Sequence, residues 1–330
     1  MYRVAANNEA AAFNRRGRDG SCSEKKASVL LGVMPRLRVC LTASLLSPLL
    51  VGIGTAVGAA DSAIPYHDVA FVSQGVTLHG TVFVPANPPA FAAAVWVDGA
   101  GRKTRNIGLA QLFAKRGIAL LTYDKRGVGA SGGVYAGPEA GTNNVSRENL
   151  ALLAKDAATA IRALRQERRL SNVPRGFIGG SQAGWIIPAA ALKYREARFM
   201  LFWSGAIETT HENLLFERTA LADADFWSHH TPDDVREIMS GLVDDLTWAN
   251  FDPRAALERL SIPGLWMFGG RDRNVNVGLS IERLNGLIAD GHPDYSYRVF
   301  AEYDHALGGK DEDVLDPSVA WIREIVERTR

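Results

Sequence analysis

Cysteine is almost missing from this chain: of 330 residues only Cys22 and Cys40 carry a thiol, and none occurs after residue 60. The body of the protein therefore has no disulfide, no Cys-ligated zinc and no cysteine nucleophile. An excess of either charge is missing too, with 37 basic against 36 acidic side chains. Phosphate binding relies on a concentrated surplus of Lys and Arg, so nucleic acid is not an expected partner. The chain lacks the several long, unbroken apolar runs of a polytopic membrane protein, and it has no glycine at every third position. What is present is the composition of an ordinary globular protein, 47% hydrophobic and 22% charged.

The one long uncharged run is at the front. Val39 to Ala60 is 22 residues without a charge, preceded by Arg36 and Arg38 and ending in Ala56, Val57, Gly58, Ala59 and Ala60. That is the layout of a signal peptide. Met34 stands just before the basic pair and is the expected start, so residues 34–60 form the signal within a leader of residues 1–60. A run of this length can span a bilayer, but Pro48, Gly52, Gly54, Thr42, Ser44 and Thr55 make it weakly apolar. Cleavage is thus expected, with a secreted or periplasmic product; membrane association is expected only if the leader stays attached. Cys40 opens the run instead of closing it, so it is no lipoprotein acceptor. The leader holds 8 of the basic and 3 of the acidic residues, which leaves 29 against 33 in residues 61–330 and a mildly acidic mature chain.

From residue 61 the pattern predicts an α/β protein. Two alternating stretches, Val69–Ser73 and Val76–Val84, joined by Gln74-Gly75, read as an antiparallel hairpin. Short continuous apolar runs follow at 92–97, 118–123, 176–178, 199–203 and 265–268, each the length of a strand buried on both faces. Ser146 caps an expected helix with an apolar face of Leu150, Leu153, Ala157, Ile161 and Leu164. Val277, Ile281, Leu284 and Ile288 form a second such face, and Val319, Ile322 and Val326 a third after Pro317. Alternating strands and helices argue for a mostly parallel sheet flanked by helices. Residues 207–260 break the rhythm with no convincing strand, and are expected to form a helical cap inserted in a single domain of residues 61–330.

The chemistry-bearing residues fall in order. GFIGGSQAGW, residues 176–185, places Ser181 between an apolar strand and a helix, with the small residues Gly179 and Ala183 two positions to either side. A sharp strand-to-helix turn that exposes a nucleophile requires small residues there. A serine hydroxyl needs a base, and the base needs an orienting acid. Among the Asp residues between Ser181 and His305, only Asp272 follows directly on an apolar strand run, in LWMFGGRDRNV. His292 precedes the last strand, Tyr295–Phe300, whereas His305 follows it; sites of open α/β sheets gather at the carboxyl ends of strands, which selects His305. Two backbone amides must stabilise the oxyanion, that of Gln182 after the nucleophile and, from the Asp98-Gly99-Ala100-Gly101 turn, that of Ala100.

VWVDGAGRKTRN, YDKRGVGASGG, IGGSQAG, GGRDRNV and YDHAL occur in this order over roughly residues 65–330. Together they resemble the α/β-hydrolase superfamily, particularly bacterial esterases and serine-aminopeptidase-like hydrolases. The resemblance implies an α/β-hydrolase fold, catalytic roles for Ser181, Asp272 and His305, and oxyanion amides at Ala100 and Gln182. Many relatives have His at the first position of the oxyanion turn; Asp98 departs from that. The loop Asp124–Gly129 reads as structural, with Arg126 as its one possible substrate contact. Ser181 argues against dehalogenases and epoxide hydrolases, which place Asp at the elbow.

The expected function is an exported serine esterase acting through an acyl-enzyme, with no cofactor and no metal. A short-peptide or aminoacyl-amide hydrolase is the alternative, and a catalytically silent binding protein of the same fold is another. The expected partner is a small ester or short peptide; nothing in the sequence fixes the oligomeric state. His229 and His230 lack a third clustered ligand and are read as a solvated loop. Glu208, Glu212 and Glu217 are read as a solvated helix face in preference to an ammonium site, and Trp203, Phe216, Phe226, Trp227 and Trp248 as packing in preference to an acyl pocket.

Overall fold

The structure, a computed structural model, describes residues 64–137, 144–242, 246, 249–292, 294–307 and 312–328. The leader, residues 1–60, and Trp248 lie outside the described residues.

The apolar runs become strands β1 (Tyr66–Ser73), β2 (Val76–Phe83), β3 (Ala92–Val97), β4 (Ile118–Tyr123), β5 (Arg175–Gly180), β6 (Ala197–Trp203), β7 (Gly264–Gly269) and β8 (Tyr295–Phe300). They form one sheet in the order β1-β2-β4-β3-β5-β6-β7-β8. β1 and β2 pair antiparallel, as do β2 and β4; from β4 to β8 the strands run parallel. The hairpin turns at Gln74 and Gly75 with φ of 49° and 74°, the mirror-image turn whose twist suits an antiparallel pair.

Helices α1 (Ile107–Lys115), α2 (Arg147–Arg165), α3 (Ala183–Lys193), α4 (Thr210–Leu221), α5 (Phe226–His229), α6 (Pro232–Ser240), α7 (Arg254–Leu257), α8 (Val277–Ala289) and α9 (Glu312–Arg328) complete the described elements with a short 3-10 turn at Arg168–Leu170. All six residues of β3, β4 and β7 are buried, which explains why their sequences are continuous apolar runs. Successive side chains point to opposite faces. Ala93, Val95, Phe177, Phe202 and Trp266 meet α2, α3 and α8 on one face. Ala94, Trp96, Ile178, Leu201 and Met267 meet α1 and α9 on the other.

Ser146 caps α2 as expected, accepting from the Asn149 amide at 3.3 Å, and the predicted face is buried. The α8 face is uneven: Val277 and Leu284 are buried, Ile281 and Ile288 half-buried. Pro317 lies inside α9 instead of ahead of it. The ring removes one backbone donor, while the burial of Val314, Leu315, Val319, Ile322 and Val326 on the sheet holds the helix through it. Between β6 and β7 the described residues form α4 to α7 and no strand. Capping boxes at Thr209/Glu212 and Thr231/Asp234 start α4 and α6, and Phe216, Ala220, Phe226 and Val235 give the insertion a small core.

Arg126, in the loop after β4, is buried against Asp156 of α2, donating through Nε at 3.0 Å and through Nη2, which also donates to the Ser73 carbonyl at 2.9 Å. It ties three elements together, which supports the structural reading of this loop. Substituting Arg126→Met leaves a buried carboxylate without its partner and is expected to cost about 3 kcal/mol or more. Urea denaturation reads this as a lower midpoint at unchanged slope; a wild-type midpoint contradicts the assignment.

Candidate active site

Ser181 sits between the end of β5 and the start of α3 with φ of 55°, a left-handed backbone that non-glycine residues rarely adopt. Its amide donates to the Trp203 carbonyl at 3.0 Å and its carbonyl accepts from the Gly184 amide at 2.9 Å. The turn closes because its neighbours are small. A Cβ on Gly179 would lie 2.6 Å from the Ala183 methyl and 2.6 Å from the Val97 carbonyl, and one on Gly184 would lie 2.3 Å from the Ala206 carbonyl. Ala183 fits only because position 179 has no side chain.

Asp272, in the loop after β7, is fully buried. Its Oδ1 accepts from the amides of Asn274 and Val275 at 2.7 and 2.9 Å, and its Oδ2 lies 2.8 Å from His305 Nδ1. Trp227 of α5 donates its indole N–H to the Asp272 carbonyl at 2.8 Å, tying the helical insertion to the acid's loop. Burial pushes the His305 imidazole towards its neutral form, but the hydrogen bond and charge of Asp272, with the charges of Glu217 and Asp304, outweigh it and raise the pKa above the ordinary 6.5. Ser181 and His305 line one cavity of about 890 Å³. The structure thus joins Asp272 to His305 directly and sets Ser181 on the same cavity as His305; among the described residues no hydrogen bond joins Ser181 to His305.

Ala100 and Gln182 line the same cavity. Neither backbone amide donates to a protein group among the described residues. The loop carrying Ala100 is anchored on β4 and the residues after it: the Lys125 amide donates to the Lys103 carbonyl at 3.0 Å and the Asn106 amide to Thr122 Oγ1 at 2.7 Å. Arg105 pairs with Asp124 at 2.9 Å. Asp98 turns to β3, where Oδ1 accepts from the Trp96 indole at 2.7 Å, while Oδ2 is buried with no hydrogen-bond partner. Burial pushes its carboxyl up to about 6, against the lowering effects of the Trp96 hydrogen bond and of Lys125.

The cap carboxylates do not form a solvated face. Glu208 is fully buried, accepting from the Ile207 and Asn276 amides, Asn213 Nδ2 and Ser280 Oγ, so it clamps the base of the insertion to the start of α8. Glu212 caps α4 and pairs with Arg283 at 2.7 Å. Glu217 lines the cavity, accepts from Asn274 Nδ2 at 3.0 Å, and is raised above the usual carboxylate range by burial. The sequence puts Glu217 on a solvated face in preference to an ammonium site because nothing in the i, i+4 pattern distinguishes an inward-facing carboxylate from an outward one. Phe216 and Phe226 are packing residues of the insertion, whereas Trp203 packs in the core and also lines the cavity. His229 is exposed and paired with Asp223 at 2.7 Å. No group of three metal-ligating side chains occurs among the described residues.

No family model and no curated protein sequence matches the chain. Solved structures do. An esterase of Pyrococcus furiosus aligns over 80% of this chain and 91% of its own at 15% identity, with a TM-score of 0.56. The chain has the α/β-hydrolase fold. A puromycin-hydrolysing peptidase of Mycobacterium tuberculosis aligns over 80% of this chain and 40% of its own, at 20% identity and a TM-score of 0.57. The acylaminoacyl peptidase of Pyrococcus horikoshii aligns over 80% and 42%, at 16% identity and 0.58. Within the α/β-hydrolase fold, Ser181, Asp272 and His305 follow β5, β7 and β8, at the carboxyl ends of parallel strands.

The charge of Glu217 supports the His305 cation, so Glu217→Gln is expected to move the titration of the His305 ring to lower pH. NMR titration of the imidazole measures this without reference to turnover; an unmoved midpoint contradicts the coupling.

Proposed function

We propose that this chain is an exported serine hydrolase that cleaves small carboxylic esters through an acyl-enzyme. One observation carries the reading: a serine held in a left-handed strand-to-helix turn shares a cavity with a histidine bonded to a buried aspartate. With Nδ1 engaged by Asp272, the second ring nitrogen of His305 is the one free to accept the Ser181 proton. Ser181 Oγ attacks the ester carbonyl carbon, and the oxyanion takes hydrogen bonds from the Gln182 and Ala100 amides. Collapse breaks the carbon–oxygen bond to the alcohol, which leaves with the proton from His305. A water that gives its proton to His305 then attacks the acyl carbon, and the carboxylic acid departs as Ser181 regains a proton. Asp272 stays ionised and stabilises the imidazolium. The basic pair and the 22-residue uncharged run of the leader support export with removal of residues before about 60.

A second reading, hydrolysis of aminoacyl amides or short peptides, is favoured by Glu217, whose half-buried carboxyl lines the cavity and suits a substrate ammonium. Glu217→Gln that raises KM only for substrates with a free amine would select it.

The test is hydrolysis of p-nitrophenyl acetate, butyrate and octanoate, with an aminoacyl p-nitroanilide in parallel, by residues 61–330 and the Ser181→Ala variant. Loss of about 10⁴-fold or more in kcat on esters is expected. Ser181-dependent turnover of the anilide alone moves the assignment to the amide reading. No Ser181-dependent turnover of any substrate contradicts both and leaves a binding protein of the same fold.

A further inference from the structure

The loop after β4 carries two cations on successive positions that are treated differently. Arg126 is locked to Asp156, as Arg105 is locked to Asp124. Lys125, 6% exposed, is given no such partner: its two hydrogen bonds go to neutral oxygens, the Gly99 carbonyl at 2.8 Å and Gln182 Oε1 at 3.2 Å. Burying an ammonium is costly, and the cost is usually offset by a carboxylate. Here the anion that acts on it is Asp98, through charge and without a hydrogen bond: Asp98 Oδ1 is bonded to Trp96 and Oδ2 to no protein group among the described residues.

The two acceptors have one thing in common. The Gly99 carbonyl belongs to the same planar peptide unit as the Ala100 N–H, and Gln182 owns the other amide assigned to the oxyanion. One buried ammonium therefore grips the back of the first donor peptide and the side chain of the second donor residue.

We propose that Lys125 is a positioning residue for the hydrolytic reaction, fixing the Ala100 and Gln182 amides and polarising the Gly99–Ala100 peptide towards a developing oxyanion. The inference rests on the assignment of Ser181 as nucleophile and of these two amides as donors. A cation on the Gly99 oxygen draws electron density along the peptide and makes the Ala100 N–H a stronger donor. Its full charge, itself withdrawn from water, also favours the state in which negative charge has formed over the neutral ground state. Lys125 transfers no proton.

The charge is conditional. Burial lowers the ammonium to about 8, with Asp98 at the end of β3 opposing this and Lys103, in the loop that follows, adding to it. Activity that depends on the charged form is therefore full well below about pH 8, half lost near it and lost above it, whereas His305 sets the limb on the acid side.

The test is p-nitrophenyl butyrate hydrolysis between pH 6 and 9.5 by the wild type and by Ser181→Ala, Lys125→Met, Lys125→Gln and Lys125→Arg. Lys125→Met is expected to lower kcat about 10- to 100-fold, less than the loss of a whole oxyanion donor, with KM changed less than threefold and the alkaline limb absent. Lys125→Arg, charged throughout this range, is expected to retain most of the activity and lose the limb near pH 8. Lys125→Gln keeps a donor for Gly99 without the charge and should fall between them. Should Lys125→Met fail to fold, as thermal denaturation would show, the Arg and Gln profiles decide. Loss of turnover in Ser181→Ala beside a Lys125→Met with wild-type kcat and an intact alkaline limb overturns this inference alone. An alkaline limb near pH 8 that persists in Lys125→Arg overturns it as well. A Ser181→Ala variant as active as the wild type overturns the site assignment and the inference with it.

Discussion

Everything proposed for this protein depends on one backbone turn. Ser181 is held at a positive φ that costs a non-glycine residue on the order of 1–3 kcal/mol, and nothing in its own side chain repays that. The compensation comes from the surroundings: β5 pairs on both edges in the middle of the sheet, the Ser181 amide is taken by the Trp203 carbonyl, and α3 is packed on the sheet through Ala183, Trp185, Ile186 and Ile187. Gly99 presses on the turn from the loop after β3, where an added Cβ would stand 3.1 Å from Ser181 Cβ. The sheet is thus the device that keeps an unfavourable turn in place, and its parallel centre gives every participating loop the same end from which to reach the cavity.

The ionisable groups around that turn divide by partner. Arg105–Asp124 and Arg126–Asp156 are paired ions that hold loops, and Glu208 is a buried acceptor that holds the insertion. Asp272 and His305 form a pair whose two members have different tasks, since the acid is fully buried and taken by two amides while the ring still lines the cavity. Asp98 and Lys125 stand apart from both groups: Asp98 is half-buried and Lys125 buried beside the loop after β3, each has its pKa displaced towards neutrality by the loss of solvent, and neither is hydrogen-bonded to an opposite charge. Perturbed groups without a hydrogen-bonded counter-ion, next to the proposed nucleophile, are where catalytic tuning is expected.

Much of this was legible in the sequence, because the signals were local. The apolar run at 92–97, and that at 118–123 with Thr122 its one polar residue, define strands buried on both faces, and Gln74-Gly75 between alternating stretches defines a hairpin turn. The order of Ser181, Asp272 and His305 placed each at a strand end, and the structure puts the last two in contact and Ser181 on the same cavity. Pro317 was misplaced because a proline is ordinarily a boundary, and only the tertiary burial of α9 overrides it. Glu208, Glu217 and Lys125 were illegible for a different reason. Each has a partner 57 to 72 positions away in sequence, and Lys125 has a second 26 positions away, so the pattern around each residue does not show what the fold brings to it.

The central claim is that Ser181 is a nucleophile activated by His305. Its most direct measurement is intact-mass and peptide-mapping mass spectrometry of residues 61–330 after exposure to a fluorophosphonate, at several pH values. The account predicts a single phosphonylated residue, Ser181, formed at a rate that rises with pH as the His305 ring loses its proton and that collapses in His305→Ala. An unlabelled chain, a label on another residue, or a labelling rate indifferent to His305 contradicts it.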